Sequence, residues 1–392
     1  MSTPAPALPA EVRRGLPVVI GGRFVSNVAF RFVYPFLPAI SRGLGVSIET
    51  AGIALSIREL SGLAAPALGR VIDRGRRRAG MFVGLVAAGV SLALTAASPG
   101  IVAFTIGIVV FSIAKVGYDT AMSTWIGDHV PFARRGQIIG LSELSWAVAL
   151  LVGIPLVGAL IDAVGWRAPF AVVGAACVAV GLLVPGRVDA DPPREPGPHA
   201  RLRLLPGAVA LYVVMALLSF SMQLVIVVHG FWLEDEFGLT VAAIGVSSIL
   251  LGAGELVGSG ATVSLTDRLG KRRSVLLGSI ALVPPLALFG VTDGQVAVAL
   301  ALLTLAVLAF EFAFVSALPL VTELDPEARG SAVGVALAIV TVARAVGTVG
   351  ATTLYAARGM GAVGGLAAAG IAIAAIVVAT AVREPEPTPV TA

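Results

Sequence analysis

The chain has 392 residues and a formal net charge of +4, with 57% hydrophobic and 13% charged residues; ordinary soluble domains run at roughly 45–50% and about 25%. That composition excludes a soluble globular protein and reads as a membrane protein. The single cysteine, Cys177, excludes an intramolecular disulfide and lies in an apolar run, where it reads as a packing residue.

Twelve stretches approach or exceed the ~18–20 apolar residues that cross a bilayer as a helix. In chain order they are 16–40, 48–70, 79–98, 101–125, 137–161 and 168–186, then 207–232, 241–265, 274–290, 295–320, 331–357 and 361–382. The first opens at Leu16 with no small-residue cleavage site after a short core, so it is expected to stay in the protein as the first span. Between the sixth and seventh spans lies Asp189-Ala190-Asp191-Pro192-Pro193-Arg194-Glu195-Pro196-Gly197-Pro198, a polar and proline-rich linker. The expected organisation is a tail at 1–15, a six-helix bundle at 16–186, a linker at 187–206, a second six-helix bundle at 207–382 and a tail at 383–392.

Outside the spans, every Lys and Arg except Arg42, Arg167 and Arg358 falls on the side that holds the N-terminus. By the positive-inside rule this predicts a multi-pass protein of the cell membrane with both termini cytoplasmic. It also assigns the basic residues to the inner membrane surface, with no nucleic-acid partner.

The chain repeats its landmarks. Gly45-Val46-Ser47-Ile48, Gly52, Asp73-Arg74, Arg135-Gly136 with Gly140, and Gly153 return as Gly238-Leu239-Thr240-Val241, Gly245, Asp267-Arg268, Arg329-Gly330 with Gly334, and Gly347, at an offset of about 193–194 residues. A constant offset across half the chain means a duplicated unit, a pattern shared by secondary transporters.

The loop after the second span, Gly69-Arg70-Val71-Ile72-Asp73-Arg74-Gly75-Arg76-Arg77-Arg78, resembles the cytoplasmic signature of the major facilitator superfamily. Its second copy is Asp267-Arg268-Leu269-Gly270-Lys271-Arg272-Arg273, and Gly165-Trp166-Arg167-Ala168-Pro169-Phe170 and the Arg-Gly-x-x-x-Gly openings support the match. The first copy lacks the spacer between Arg74 and Gly75, and the second has Val263 where the leading glycine would stand. The resemblance implies an all-α fold of two pseudo-symmetric six-helix bundles around a central cavity. It further implies that Gly69, Asp73, Arg74, Arg76, Asp267, Arg268, Gly270 and Arg272 form a cytoplasmic gate, with Asp73 near the start of the eleventh span around Ser331. A carboxylate there would accept hydrogen bonds from unpaired amides at a helix start, which the helix dipole favours.

Within the spans, Arg23, Arg31, Arg58, Lys115 and Arg344 stand against Glu59, Asp119, Glu143, Glu255 and Glu311. A charge inside the membrane costs at least ~2.5–3.5 kcal/mol for Arg, Lys or Asp, so these residues are expected to pair or face a cavity. At 1.5 Å per residue, Arg23, Asp119 and Glu143 all lie about 10 Å deep, and Lys115 shares a face with Asp119 one turn away. We expect the four to form one network. Arg23, Asn27 and Arg31 recur every four residues and share one helix face, which should line the interior. The family fold puts the first, fourth, seventh and tenth spans around the cavity. Arg23, Asn27, Arg31, Lys115, Asp119, Trp146, Gln223 and Glu311 are therefore candidates to meet substrate, and Asp119, Glu143, Glu255 and Glu311 to carry protons.

Family geometry also predicts that Arg344 pairs with Glu59, the neighbour of Arg58, and sets Glu143 opposite Glu255. In the seventh span, Ser219, Ser221 and Gln223 offer polar contacts, and His229 near its outer end titrates near neutral pH. Phe220 joins Trp146 as a possible stacking surface. Gly153-Ile154-Pro155-Leu156-Val157-Gly158 resembles the family's efflux-associated glycine-proline motif, with an extra residue between Gly and Pro.

The expectation is a secondary transporter working by alternating access, resembling bacterial drug/proton antiporters and exporting a small organic molecule in exchange for protons. Proton-coupled uptake of a metabolite is the alternative, and a non-transporting receptor or assembly partner a third reading. Membrane lipids are expected partners and a monomer the expected state. No metal, cofactor or enzymatic motif is found, so no enzymatic activity is expected.

Overall fold

The computed structural model describes residues 7–190, 208–323 and 329–382. Most of the expected linker, all of the expected C-terminal tail and the side chain of Ser331 lie outside the described residues. Among the described residues there is no strand. The helices are α1 (Ala10–Arg31), α2 (Leu37–Leu44), α3 (Ile48–Glu59), α4 (Ala65–Ile72), α5 (Arg77–Ala96), α6 (Ile101–His129), α7 (Phe132–Val148), α8 (Ile154–Val164), α9 (Ala168–Arg187), α10 (Val209–Asp235), α11 (Val241–Leu269), α12 (Lys271–Ala287), α13 (Val296–Glu323) and α14 (Arg329–Thr380).

Nine helical stretches among the described residues are long and apolar enough to cross a membrane. The last of them turns at Gly359 into two helices, and the broken pairs α1/α2 and α3/α4 supply the first two expected spans. Helix α1 begins at Ala10, inside the stretch expected as a tail. The first, second and fifth expected spans are interrupted: at Phe32–Phe36, by a 3₁₀ turn at Leu60–Ala64, and by a π turn at Ala149–Gly153.

The chain forms two compact units. The first holds the described part of Met1–Pro198 together with His229–Gly252; the second holds the described part of His199–Val228 together with Ala253–Ala392. In the first, α5 packs on α6 and α9, α1 on α7 and α9, and α3 and α4 on α6. In the second, α12 packs on α13 and α14.

Small residues let these helices touch backbone to backbone, which matters in lipid because burial there gives no hydrophobic gain. A Cβ on Gly89 would stand 2.4 Å from the Gly174 carbonyl oxygen, and one on Gly174 2.8 Å from the Gly89 oxygen, so α5 and α9 cross in mutual contact. The duplication keeps such contacts. Gly84 lies against the Tyr118 backbone of α6, and Gly278, its counterpart, against the Ala313 backbone of α13. The buried core of the first unit gathers Trp125, Tyr118, Met81 and Met122. Val102 (71% exposed) and Leu94 (66%) point outward, as a lipid-facing surface requires.

Candidate functional site

The polar stripe of α1 meets α6 and α7 in the first unit. Arg23, 7% exposed, donates to Glu143 Oε1 at 2.7 Å and to Asp119 Oδ1 at 3.4 Å. Lys115, 4% exposed, donates to Asp119 Oδ2 at 2.6 Å, one helical turn away on α6. Two cations and two carboxylates thus compensate one another, and one guanidinium is shared between carboxylates on two different helices. The side chains differ in access: Asp119 is 28% exposed and Glu143 57%. Glu143 is therefore less desolvated than its depth suggests, because it sits on an exposed face of α7 and reaches Arg23 from there.

One turn along α1, Asn27 Nδ2 donates to Ser145 Oγ of α7 at 2.9 Å. One turn further, the Arg31 guanidinium lies 5.1 Å from the centre of the Trp146 ring, and Lys115 Nζ lies 5.1 Å from the same ring. Phe30 meets Trp146 edge-on at 6.0 Å. Two cations against one indole ring is a cation–π arrangement. Arg23 Nε and Asn27 Oδ1 are buried without a hydrogen-bond partner in the protein.

The break after α1 follows from Pro35. Proline has no N–H to give the Arg31 carbonyl, so that carbonyl takes the Tyr34 N–H at 3.3 Å instead. The Phe30 carbonyl thereby loses its helical partner and accepts from Arg58 Nη1 at 3.1 Å. Arg58 also pairs with Glu59 at 2.7 Å and donates to the Tyr34 hydroxyl, which donates to Glu59 Oε1 at 2.6 Å. Its guanidinium lies 4.2 Å from the centre of the Phe30 ring. The sequence singled out Arg58 and Glu59 but missed Phe30 and Tyr34. Pro35 within an otherwise apolar span is the signal that points to them.

In the second unit, Gln223 of α10 is buried and donates to Thr348 Oγ1 of α14 at 3.0 Å; that hydroxyl donates to the Arg344 carbonyl at 2.9 Å. Glu311 of α13 backs onto Gly258 of α11, whose added Cβ would stand 2.8 Å from the Glu311 Cβ. Glu255, buried at 7% exposure, lies one turn before Gly258 on α11.

In the first signature loop, Gly69 lies in α4, Asp73 caps its C-terminal end and Arg74 is exposed beside it. Gly75 (φ 79°) then turns the chain into Arg76 at the start of α5. Its counterpart Gly270 (φ 86°) turns α11 into α12 in the same left-handed region, which explains why both copies carry glycine there. Asp267 and Arg268 are exposed in the last turn of α11, and Arg272 Nε donates to the Val378 carbonyl at 3.1 Å. A repeated ion pair was not foreseen. Arg77 is buried and pairs with Asp128 at the end of α6 at 2.6 Å, and the corresponding Lys271 pairs with Glu323 at the end of α13. The near-constant offset of both partners was the available signal.

The chain has relatives of known class. A chloramphenicol resistance protein of Streptomyces lividans is 30% identical over 338 residues, 81% of this chain and 83% of its own. A class C tetracycline resistance protein of Escherichia coli is 27% identical over 284 residues, 68% of this chain and 71% of its own. The crystal structure of a D-xylose–proton symporter superposes with a TM-score of 0.78 at 17% identity, covering 96% of this chain and 99% of that one. A sequence model of the Major Facilitator Superfamily matches residues 19–210 and 209–392. With its duplicated halves, signature loops and membrane-spanning helices, the chain belongs to the Major Facilitator Superfamily and is a multi-pass membrane transporter of small molecules, not an enzyme.

Proposed function

We propose that this transporter exports a small organic molecule in exchange for protons, with Arg23 switching between two carboxylate partners as protons come and go. The observation that carries the reading is the sharing of Arg23 between Glu143 at 2.7 Å and Asp119 at 3.4 Å. Glu143 has the more exposed side chain, so a proton from water reaches it first. Once neutral, it no longer holds the guanidinium, and Arg23 closes on Asp119, which Lys115 already holds. Loss of the proton restores the original pairing. In such a cycle the charge of the cluster changes at one carboxylate while no buried cation is left without an anion, which would be strongly unfavourable.

The Trp146 and Phe30 faces and the unpartnered atoms of Arg23 and Asn27 are proposed to hold the substrate, one helical turn from the proton switch. Gln223, Glu255 and Glu311 are proposed as the contribution of the second unit, and Arg344 as a charge partner for Glu59. The signature loops are proposed to close the cytoplasmic side, with both termini in the cytoplasm. The resistance proteins among the relatives make chloramphenicol and tetracycline the first substrate probes.

The test uses purified protein in liposomes with a pH-sensitive dye inside and either probe added under an imposed pH gradient. The expected result is probe flux opposite in direction to proton flux, reduced at least about tenfold by Glu143→Gln, the loss associated with about 1.4 kcal/mol on the coupled step. Flux with the gradient's direction would establish uptake instead. Flux indifferent to the gradient and to Glu143→Gln would remove proton coupling.

A further inference from the structure

Helices α4 and α5 both pack on α6 and leave a groove of about 510 Å³ between them. Leu68 and Val71 of α4 line one side, while Gly80 and Gly84 of α5 and Ala114 and Gly117 of α6 line the rest. Gly117 opens the space on the α6 side, because a Cβ there would meet nothing nearer than Leu68, at 3.8 Å. Val71 (45% exposed) and Val83 (58%) lie along it, so it opens on the outward, lipid-facing surface.

The charged residue of the lining is Arg76, at the start of α5, and the lining extends along that helix to Ala87. Eleven residues at 1.5 Å each give about 17 Å, close to half of the ~30 Å hydrocarbon thickness. The groove therefore begins at the membrane surface and descends through one leaflet. Arg70 and Arg74 are also exposed at this end, opposed by Asp73, while Arg77 is turned inward onto Asp128.

We infer that this groove binds one phospholipid with an anionic headgroup, its phosphate on Arg76 and one acyl chain along the α4–α5 cleft. An apolar trough one leaflet deep fits a hydrocarbon chain, and a cluster of arginines at the interface fits an anionic headgroup. The site belongs to one half of the duplication. At the repeat-equivalent positions, Ala114 and Gly117 are replaced by Leu308 and Glu311, so the small floor is not kept.

Native mass spectrometry of the purified full-length protein, equilibrated with phosphatidylglycerol or phosphatidylcholine of identical chains, tests the inference. The expected result is one phosphatidylglycerol retained in preference to phosphatidylcholine, held about fivefold more weakly by Arg76→Gln, the effect of one basic residue near an anionic surface. Gly117→Leu should abolish retention by filling the groove. Gly117→Ala should keep it, because the added Cβ would meet only Leu68, at 3.8 Å. Equal retention of both lipids, or retention unchanged in Arg76→Gln, overturns the inference. Loss in Gly117→Leu with no effect of Arg76→Gln also overturns it and assigns the groove to an uncharged apolar molecule. The exposed Arg76→Gln variant keeps the test decisive if Gly117→Leu does not fold.

Discussion

Arg58 shows how a fully buried guanidinium is tolerated in an apolar chain. It is 0% exposed, and its partners are a carbonyl freed by Pro35, a phenol, a carboxylate and two aromatic faces. Removing one partner of a buried pair leaves the other charge uncompensated and typically costs about 3–5 kcal/mol, whereas replacing both with apolar residues costs far less. Glu59→Gln and Arg58→Met should therefore each lower the thermal unfolding midpoint in detergent, and Arg58→Met/Glu59→Leu should lower it by less than their sum. Additive losses would show that the pair is not coupled. The proximity of Arg23, Lys115, Asp119 and Glu143 was legible in the sequence because depth along a helix and spacing of four residues translate directly into distance. The Arg58–Glu59 pairing was not, since adjacent residues on a regular helix do not face each other. It forms where α3 ends and the chain enters a 3₁₀ turn.

The helices are regular where they only span and irregular beside the polar cluster. The α1 break follows Arg31, and the π turn at Ala149–Gly153 follows Trp146 by one turn, just before Pro155 removes another helical N–H. A π turn takes up one additional residue in a helix, and the glycine-proline motif beside it carries one. Hydropathy located the apolar stretches but not these breaks, because a window average is insensitive to a single missing N–H. Replacing Pro35 by Ala restores a donor for the Arg31 carbonyl and competes with the Arg58–Phe30 bond. Since an interior proline costs a helix about 3 kcal/mol, Pro35→Ala should leave the unfolding midpoint unchanged or raised while reducing transport severalfold in liposomes. A lowered midpoint with normal transport would mean the break is only a packing feature.

Across the whole molecule, the duplication preserves what holds each half together and discards what distinguishes them. The Gly84 and Gly278 contacts, the Gly75 and Gly270 turns, and the Arg77–Asp128 and Lys271–Glu323 pairs occur in both copies. A hydrogen bond ties α1 to α7 through Asn27 and Ser145, and another ties α10 to α14 through Gln223 and Thr348. The Arg23 network is confined to the first copy: Leu217, Ser221 and Val225 stand where the repeat would put Arg23, Asn27 and Arg31. The proposed proton exchange therefore rests on residues of the first copy that the shared frame does not repeat. The most direct measurement counts protons released when a transported probe binds purified protein in weakly buffered detergent solution. Release that accompanies probe binding, and is lost in Glu143→Gln while binding persists, is the predicted result. Undiminished release from Glu143→Gln, or probe binding without any release from the unaltered protein, would contradict it.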